Sequence, residues 1–124
     1  MFAGHPNRGD RFDLKHDPGG MVDVEFTVQY LVLCHSHAHA QLTRNAGNIA
    51  LVSMAAELGL VQAELATAVA EAYREYRRLQ HQIRLQGAPV ARVDPAPQAS
   101  RRAAVERLWL DVFGEAWPGA RRNE

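Results

Sequence analysis

The sequence predicts a mainly α-helical fold, all-α apart from a short extended N-terminal segment: an antiparallel bundle of about four helices. Three observations support this prediction. Apolar residues recur at steps of three and four in several stretches, turn-forming Gly, Pro and Asn residues separate those stretches, and one stretch keeps a single apolar stripe over several helical turns. Hydrophobic residues make up 47% of the 124 residues, which is enough for the core of one small domain.

The chain opens with segments that are not expected to be helical. Residues 1–11 are rich in turn formers and predict a flexible leader, either native or added to the protein. Residues 12–15 alternate apolar and polar side chains, as in a short strand. Residues 16–20 read His-Asp-Pro-Gly-Gly and indicate a turn, because Pro fixes φ and Gly permits a positive φ. One helical domain is therefore expected at residues 12–114, followed by a frayed tail at residues 115–124.

The next apolar stretch, residues 21–37, can be interpreted in two ways at its start. Val22, Val24 and Phe26 alternate with polar residues, as in a half-buried strand. The apolar character then continues for longer than most strands last. We therefore predict a first helix that is apolar nearly all round and hence central and buried.

Two further helices are predicted in the middle of the chain. Residues 48–58 form the second helix, with Asn48 as its N-cap and Gly59 as its stop. The third helix is the most clearly predicted. On its charged face, Glu75 and Arg78 are three residues apart and are expected to form an ion pair. Its apolar stripe contains Val61, Leu65, Val69, Ala72, Tyr76, Leu79 and Ile83.

The last third of the sequence predicts a loop and one more helix. The third helix is expected to end at Gly87. Residues 88–99 contain several prolines and cannot be helical throughout, so they are predicted to form a loop. Ser100 is the expected cap of a fourth helix at about residues 101–113, and Gly114 is its expected stop.

Composition excludes several functional classes. The 14 Lys and Arg residues balance the 14 Asp and Glu residues, so the zero net charge gives no long-range attraction to nucleic acid or to an anionic membrane. No run of about 18 apolar residues is present, and no transmembrane segment is therefore predicted. Cys34 is the only cysteine, which excludes an intramolecular disulfide and favours a reducing, cytoplasmic location.

The pattern most suggestive of function surrounds the glycine turn. Lys15 precedes Gly19 and Gly20, and a helix start follows, so backbone amides and the helix N-terminus could face a phosphate. Asp23 and Glu25 would repel a bare phosphate there unless a metal intervened. On a helix these two carboxylates diverge by about 200°, so they are not expected to bind the same metal ion. An ordinary turn with a solvated lysine is the alternative interpretation.

Histidines offer a second candidate site. Cys34, His35, His37 and His39 invite a zinc interpretation, because His35 and His39 share one helix face. The sequence supplies no acidic partner at ligand spacing and no second Cys or His pair, so no metal site is predicted in this chain. His81 lies near basic residues of the third helix and is interpreted as a partly exposed structural histidine rather than a phosphate contact.

Several motifs carry a resemblance to a known enzyme family. They are, in chain order, Phe-Asp-Leu-Lys at residues 12–15, Gly-Gly at 19–20, Asp-Val-Glu-Phe at 23–26, Gln-Tyr-Leu-Val-Leu at 29–33 and Leu-Thr-Arg at 42–44, then Asn-Ile at 48–49 and the helix at 72–86. Over residues 12–113 the chain resembles the C-terminal part of bacterial glutamine-synthetase adenylyltransferase, a bifunctional adenylylating and deadenylylating enzyme. The Lys-turn-Gly-Gly part is also similar to PII uridylyltransferases, whereas the Asp-Val-Glu-Phe and Gln-Tyr-Leu-Val-Leu continuation favours the adenylyltransferase.

The resemblance implies a parent enzyme that uses ATP and Mg²⁺ to transfer AMP to a tyrosine of glutamine synthetase, with the PII signal protein as a further partner. The chain would be the helical domain that follows the adenylylating nucleotidyltransferase core, because Val22 stands where the deadenylylating unit usually has Arg. The family's paired-Asp metal motif and its Arg-Leu-Arg-Pro segment do not occur in this sequence. The chain alone is therefore expected to hold no catalytic residue, to be inactive and to bind neither ATP nor Mg²⁺ tightly. The residues implied to face the cleft are Lys15, Gly19, Gly20, Asp23 and Glu25.

Some positions depart from the family pattern. Asn45 and Gly47 stand where the family usually has Trp and Asp, and Ala50 stands in place of an Arg. Any role of those side chains is not carried over to this chain. Two other interpretations stay open: the helical domain of a PII uridylyltransferase-like enzyme, and a stand-alone helical binding module without an enzymatic parent.

Overall fold

The computed structural model describes residues 11–39, 42, 47–88 and 90–114. Apart from Arg11, the predicted leader and tail lie outside these residues, so both stay predictions. Within the described part, four α-helices pack together and a small two-stranded antiparallel sheet accompanies them. The predicted fold class is confirmed.

The elements follow one another in the order β1, α1, α2, α3, β2, a short 3-10 helix and α4. Their bounds are Phe12–Asp13 for β1, Met21–His35 for α1, Asn48–Glu57 for α2, Ala63–Leu85 for α3, Arg92–Val93 for β2, Ala96–Gln98 for the 3-10 helix and Ala99–Phe113 for α4.

The third helix organises the bundle. α3 packs against both α2 and α4, and α1 contacts all three other helices. Val69, Ala72 and Tyr76 of the predicted α3 stripe are buried, and its remaining helical members are partly buried against the same core. The predicted ion pair on the outer side is confirmed, with Arg78 Nη2 at 2.6 Å from Glu75 Oε2. Because this pair is exposed to solvent, it contributes little to stability.

The small sheet joins the start of the described chain to the segment between α3 and α4. Phe12 of β1 pairs with Val93 of β2 in antiparallel register. The prediction of a loop at residues 88–99 is therefore wrong in part, since this stretch also contains the 3-10 helix. The physical reason is that the backbone between Pro89 and Pro95 keeps its N–H groups, which can pair with a strand distant in sequence.

The first helix differs from its prediction in burial and length. It ends at His35 rather than near residue 37. It is not buried all round, because Phe26 and Leu33 are 53% and 61% exposed. Val24 and Val28, on the opposite side, are buried in the core. Apolar residues on every side of a helix do not reveal which side its neighbours cover, and here α2, α3 and α4 cover only one.

For α2 and α4, the residues that begin the helix were predicted less well than the glycines that end it. Gly47, not Asn48, is the N-cap of α2, and the Asn48 side chain instead donates a hydrogen bond to the Tyr73 hydroxyl at 3.3 Å. Ser100 lies inside α4 rather than capping it, because the turn of 3-10 helix at Ala96–Gln98 leads directly into this helix. The predicted glycine stops are confirmed by the positive φ angles of Gly59, Gly87 and Gly114, which are 81°, 85° and 77°.

Two glycines occupy the same position in their helices but in different surroundings. Gly20 and Gly47 are the N-caps of α1 and α2, and both have negative φ angles. A Cβ on Gly20 would lie 2.5 Å from the carbonyl oxygen of Leu14, whereas a Cβ on Gly47 would meet nothing within 4 Å. Gly20 is therefore required by space and not by backbone conformation.

This pair provides a matched test. We expect Gly20→Ala to lower the free energy of unfolding by about 1–3 kcal/mol, because backbone must shift to admit the methyl group. Gly47→Ala should cost less than about 1 kcal/mol, the usual loss for alanine at an N-cap. Thermal or urea unfolding of both variants measures the difference. Equal destabilisation would show that the close contact at Gly20 contributes nothing.

Candidate functional site

The turn between β1 and α1 is closed by its own backbone. The amides of Met21 and Val22, at the start of α1, donate to the carbonyls of Leu14 and Lys15 at 2.8 and 3.0 Å. The amide of Gly20 donates to the carbonyl of residue 17 at 2.9 Å. These amides already have acceptors within the protein, so any phosphate near this turn would have to be bound mainly by side chains.

Asp23 completes the same turn. Its Oδ2 accepts a hydrogen bond from the amide of Gly19 at 2.8 Å, and the residue is only 4% exposed. A carboxylate in the first turn of a helix interacts favourably with the helix dipole. In the described structure Asp23 therefore has a clear structural role, because it ties the first turn of α1 to the glycine turn before it.

Glu25 points to a different part of the bundle. Its Oε2 accepts a hydrogen bond from the Tyr73 hydroxyl of α3 at 2.7 Å. Burial, followed by the hydrogen bond to this carboxylate, raises the pKa of Tyr73 to about 12. Asp23 and Glu25 thus contact different elements, as their spacing on a helix predicts.

An arginine from α4 binds the turn between β1 and α1. Arg102 Nε donates to the carbonyl of Pro18 at 2.9 Å, and its guanidinium carbon lies 4.2 Å from the centroid of the Phe12 ring. A Cβ on Gly19 would lie 2.8 Å from the Cβ of Arg102. Gly19 also has a φ of 86°, so it is needed for both conformation and space. Sequence analysis missed Arg102, which sits in a helical pattern without any motif around it.

Lys15 lies beside a small cavity at the end of α3. The cavity measures about 130 Å³. Its lining residues are Asp13, Lys15, His16, Gln80, Arg84, Ala88, Val90 and Ala91. Lys15 and Arg84 are exposed and bring two positive charges to this cavity. The Asp13 carboxylate that lines the same cavity is buried, and its Oδ1 accepts from the Lys15 and His16 amides at 3.0 and 3.1 Å.

The sequence-predicted residues therefore separate into two groups. Gly19, Gly20 and Asp23 meet in one buried turn, and their contacts build the turn itself. Lys15 is anchored to that turn through its carbonyl but carries an exposed side chain. Glu25 belongs to neither place, because it contacts α3. Of the five, Lys15 is the one whose described side chain is exposed to solvent and therefore available to a ligand or partner.

The histidine-rich end of α1 lies away from this turn. Cys34 is exposed and within hydrogen-bonding reach of Tyr30, whose pKa this thiol raises. Among the described residues, no group of three or more His, Cys, Asp and Glu side chains is arranged to hold a metal ion. None of the described helices has the length and apolar character that a membrane span requires.

The absence of a zinc site remains a prediction that can be measured. Calorimetric titration of the chain with zinc should show only weak binding, because Cys34, His35, His37 and His39 form no closed tetrahedral shell. A stoichiometric nanomolar site that is lost in His35→Ala would contradict it.

Comparison with known proteins identifies the class of domain. Residues 5–89 match the family described as GlnD PII-uridylyltransferase. This match covers more than half of the chain, and the chain belongs to that family.

Comparison with individual proteins gives high sequence identities. The chain is homologous to enzymes named bifunctional glutamine synthetase adenylyltransferase/adenylyl-removing enzyme. The relative from Bordetella bronchiseptica is 58% identical over 113 residues, which are 91% of this chain. The relative from Ralstonia nicotianae is 60% identical over 114 residues, and that from Nitrosomonas eutropha is 51% identical over 128 residues, each over 92% of this chain. The matched region is only 12–14% of the length of these relatives.

The different burial of Lys15 and Asp23 predicts different effects of their replacement on stability. Asp23→Ala should lower the free energy of unfolding by about 1.5–3 kcal/mol, because it removes a buried, charge-assisted hydrogen bond to Gly19. Lys15→Ala should change stability by less than about 0.5 kcal/mol, because the Lys15 side chain is exposed. Urea unfolding followed by circular dichroism measures both. If Asp23→Ala proved as stable as the parent protein, the role of Asp23 in holding the glycine turn would be disproved.

Proposed function

We propose that this chain is the helical domain that accompanies the adenylylating nucleotidyltransferase unit of a bifunctional glutamine-synthetase adenylyltransferase. The observation that carries this proposal is the 51–60% identity to such enzymes over nearly the whole chain. In the parent enzyme, ATP and Mg²⁺ would be bound by the nucleotidyltransferase core, and AMP would pass to a tyrosine of glutamine synthetase. The PII signal protein would be a further partner, and the reaction would take place in the cytoplasm.

Within that enzyme, the turn between β1 and α1 would lie at the edge of the nucleotide cleft. Its backbone amides and Asp23 are occupied by contacts that hold the turn. Lys15 is the exposed positive charge that this turn presents, with Arg84 beside it. Transfer of a nucleotidyl group depends on positioning and on neutralising charge at the phosphates. We therefore assign Lys15 the role of a charge-neutralising contact, and Gly19, Gly20, Asp23 and Arg102 the role of positioning it.

The family match favours a second candidate. The matching family is described by the name of PII-uridylyltransferase, so the same domain could serve transfer of UMP to the PII protein. The individual relatives and the Asp-Val-Glu-Phe segment at residues 23–26 favour the adenylyltransferase over this candidate.

A chimeric enzyme tests the proposal. The matched 113 residues of the Bordetella bronchiseptica relative are replaced by the corresponding part of this chain, and transfer of labelled AMP from ATP to glutamine synthetase is measured. The chimera should be active, whereas the 124-residue chain alone should transfer nothing, because it lacks the paired metal-binding carboxylates. A folded chimera without AMP transfer would contradict the proposal and favour the uridylyltransferase candidate.

In the same chimera, Lys15→Ala should lower AMP transfer about ten-fold or more, a loss of about 1.4 kcal/mol in transition-state stabilisation. Removal of AMP should persist, since it resembles the work of the other unit. Arg107→Ala removes an exposed positive charge on α4, where it pairs with Asp111, and is the control, expected to leave transfer unchanged. Normal transfer by Lys15→Ala, with unchanged melting temperature, would end the functional assignment of Lys15.

A further inference from the structure

One side of α1 has an unusual composition for a surface that faces solvent. From residue 26 onward, the exposed positions of this helix are Phe26, Gln29, Tyr30, Leu33 and Cys34, and none of them carries a charge. A helix of a soluble domain normally places charged and polar residues on its outer side. This outer side of α1 therefore has the composition of a surface that another protein part covers.

The exposed α3 surface of the same chain provides the comparison. Its exposed positions include Glu64, Glu71, Arg74, Arg77 and Arg78, so this helix follows the usual rule. The lack of charge on the outer side of α1 is therefore specific to that helix and does not reflect the composition of the whole chain.

Aromatic rings from α4 extend the apolar surface. The Phe113 ring lies 4.5 Å from the Tyr30 ring and 5.8 Å from the Phe26 ring, measured between centroids. Trp109 packs beneath them at 5.5 Å from Phe26 and is 7% exposed. We call the surface formed by Phe26, Tyr30, Leu33 and Phe113 the aromatic face. Rigid aromatic side chains packed in this way are typical anchors of protein interfaces.

The position of the aromatic face indicates what covers it. Val22, Phe26, Tyr30 and Leu33 follow one another at helical spacing, so the apolar stripe runs from the first turn of α1 for roughly 16 Å. At its start, the Val22 amide is bonded to the carbonyl of Lys15. A protein unit that presents a nucleotide to Lys15 would therefore lie at the beginning of this stripe, and its contact surface could extend along the stripe.

In the relatives, such a unit could belong to the same polypeptide. They are several times longer than the region matched here, so most of their chain lies outside it. A covalently linked unit reaches the aromatic face at an effective concentration in the millimolar range, which a free partner does not match. We propose that the aromatic face is the docking surface for the nucleotidyltransferase unit of the same polypeptide. This inference rests on the proposed function, because it takes that unit as the occupant.

Cys34 provides a probe at the edge of the aromatic face. It is exposed and interacts with Tyr30, so a docked unit would cover it. The experiment measures the rate of alkylation of Cys34, followed by peptide mass spectrometry, in the chimera and in the 124-residue chain. Alkylation should be about ten-fold or more slower in the chimera, because a covered thiol reacts only when the contact opens.

Surface variants show whether the aromatic face causes this protection. Phe26→Ser and Leu33→Ser in the chimera should restore fast alkylation of Cys34. Leu85→Ser is the matched control, because Leu85 is 74% exposed at the end of α3 and outside the aromatic face. It should leave the protection unchanged. Circular dichroism of the same variants in the 124-residue chain should show unchanged folding, since the replaced side chains are largely exposed.

Three outcomes would overturn the inference. The first is equal alkylation rates in the chimera and the isolated chain. The second is protection that persists in both Phe26→Ser and Leu33→Ser. The third is self-association of the isolated chain that protects Cys34 and is abolished by Phe26→Ser, since the occupant would then be a second copy. The inference and the proposed function fail separately: loss of the Lys15 effect on AMP transfer, with Cys34 still protected, contradicts only the role of Lys15.

Discussion

The position of the first helix depends on one close contact. The backbone at Gly19 and Gly20 lies directly against two other parts of the chain. The carbonyl of Leu14 lies against Gly20, and Arg102 of α4 lies against Gly19, with no space for a Cβ at either position. Because no side chain separates them, the strand, the turn and the last helix are held at backbone distance. The start of α1 is fixed by the same contact, since Met21 and Val22 bond to the segment before the turn.

Because of this constraint, the residues around the glycine turn have different roles. The amides that a glycine turn could offer to an anion donate to carbonyls within the turn, and Asp23 accepts from the amide of Gly19. What the turn can present outward is a side chain, and Lys15 is the exposed one. A rigid support beneath a flexible, charged side chain suits a role in which the charge must be near a ligand without being part of the metal-binding set.

Much of the fold could be predicted from the sequence because its signals are local. The apolar stripe of α3 and the glycines that end α2, α3 and α4 depend only on neighbouring residues, and the structure bears them out. The contacts that could not be predicted join distant residues. The pairing of Phe12 with Val93 and the hydrogen bond from Arg102 to Pro18 leave no periodic pattern.

The candidate site shows the same division. The glycine turn was recognisable as a turn, but the reason for its second glycine is a carbonyl that only the folded chain brings near. The outer side of α1 was misjudged for a related reason. Its apolar residues were taken as a sign of burial within this domain, whereas Phe26 and Leu33 are exposed on its surface.

The long span between Arg102 and Pro18 also bears on how the chain acquires its structure during synthesis. These residues are 84 positions apart, so at about 5–20 residues per second a ribosome needs roughly 4–17 seconds to deliver the arginine after the proline. During that time α1, α2 and α3 can form from local contacts, while the first strand has no partner until Val93 is made. Closing such a long loop late costs entropy that short-range helix pairing avoids, so folding should be slower than in a bundle stabilised by neighbouring helices alone. The contacts that attach the Lys15 turn to α4 would therefore form last, although the hydrogen bonds within the turn join neighbouring residues and can form early.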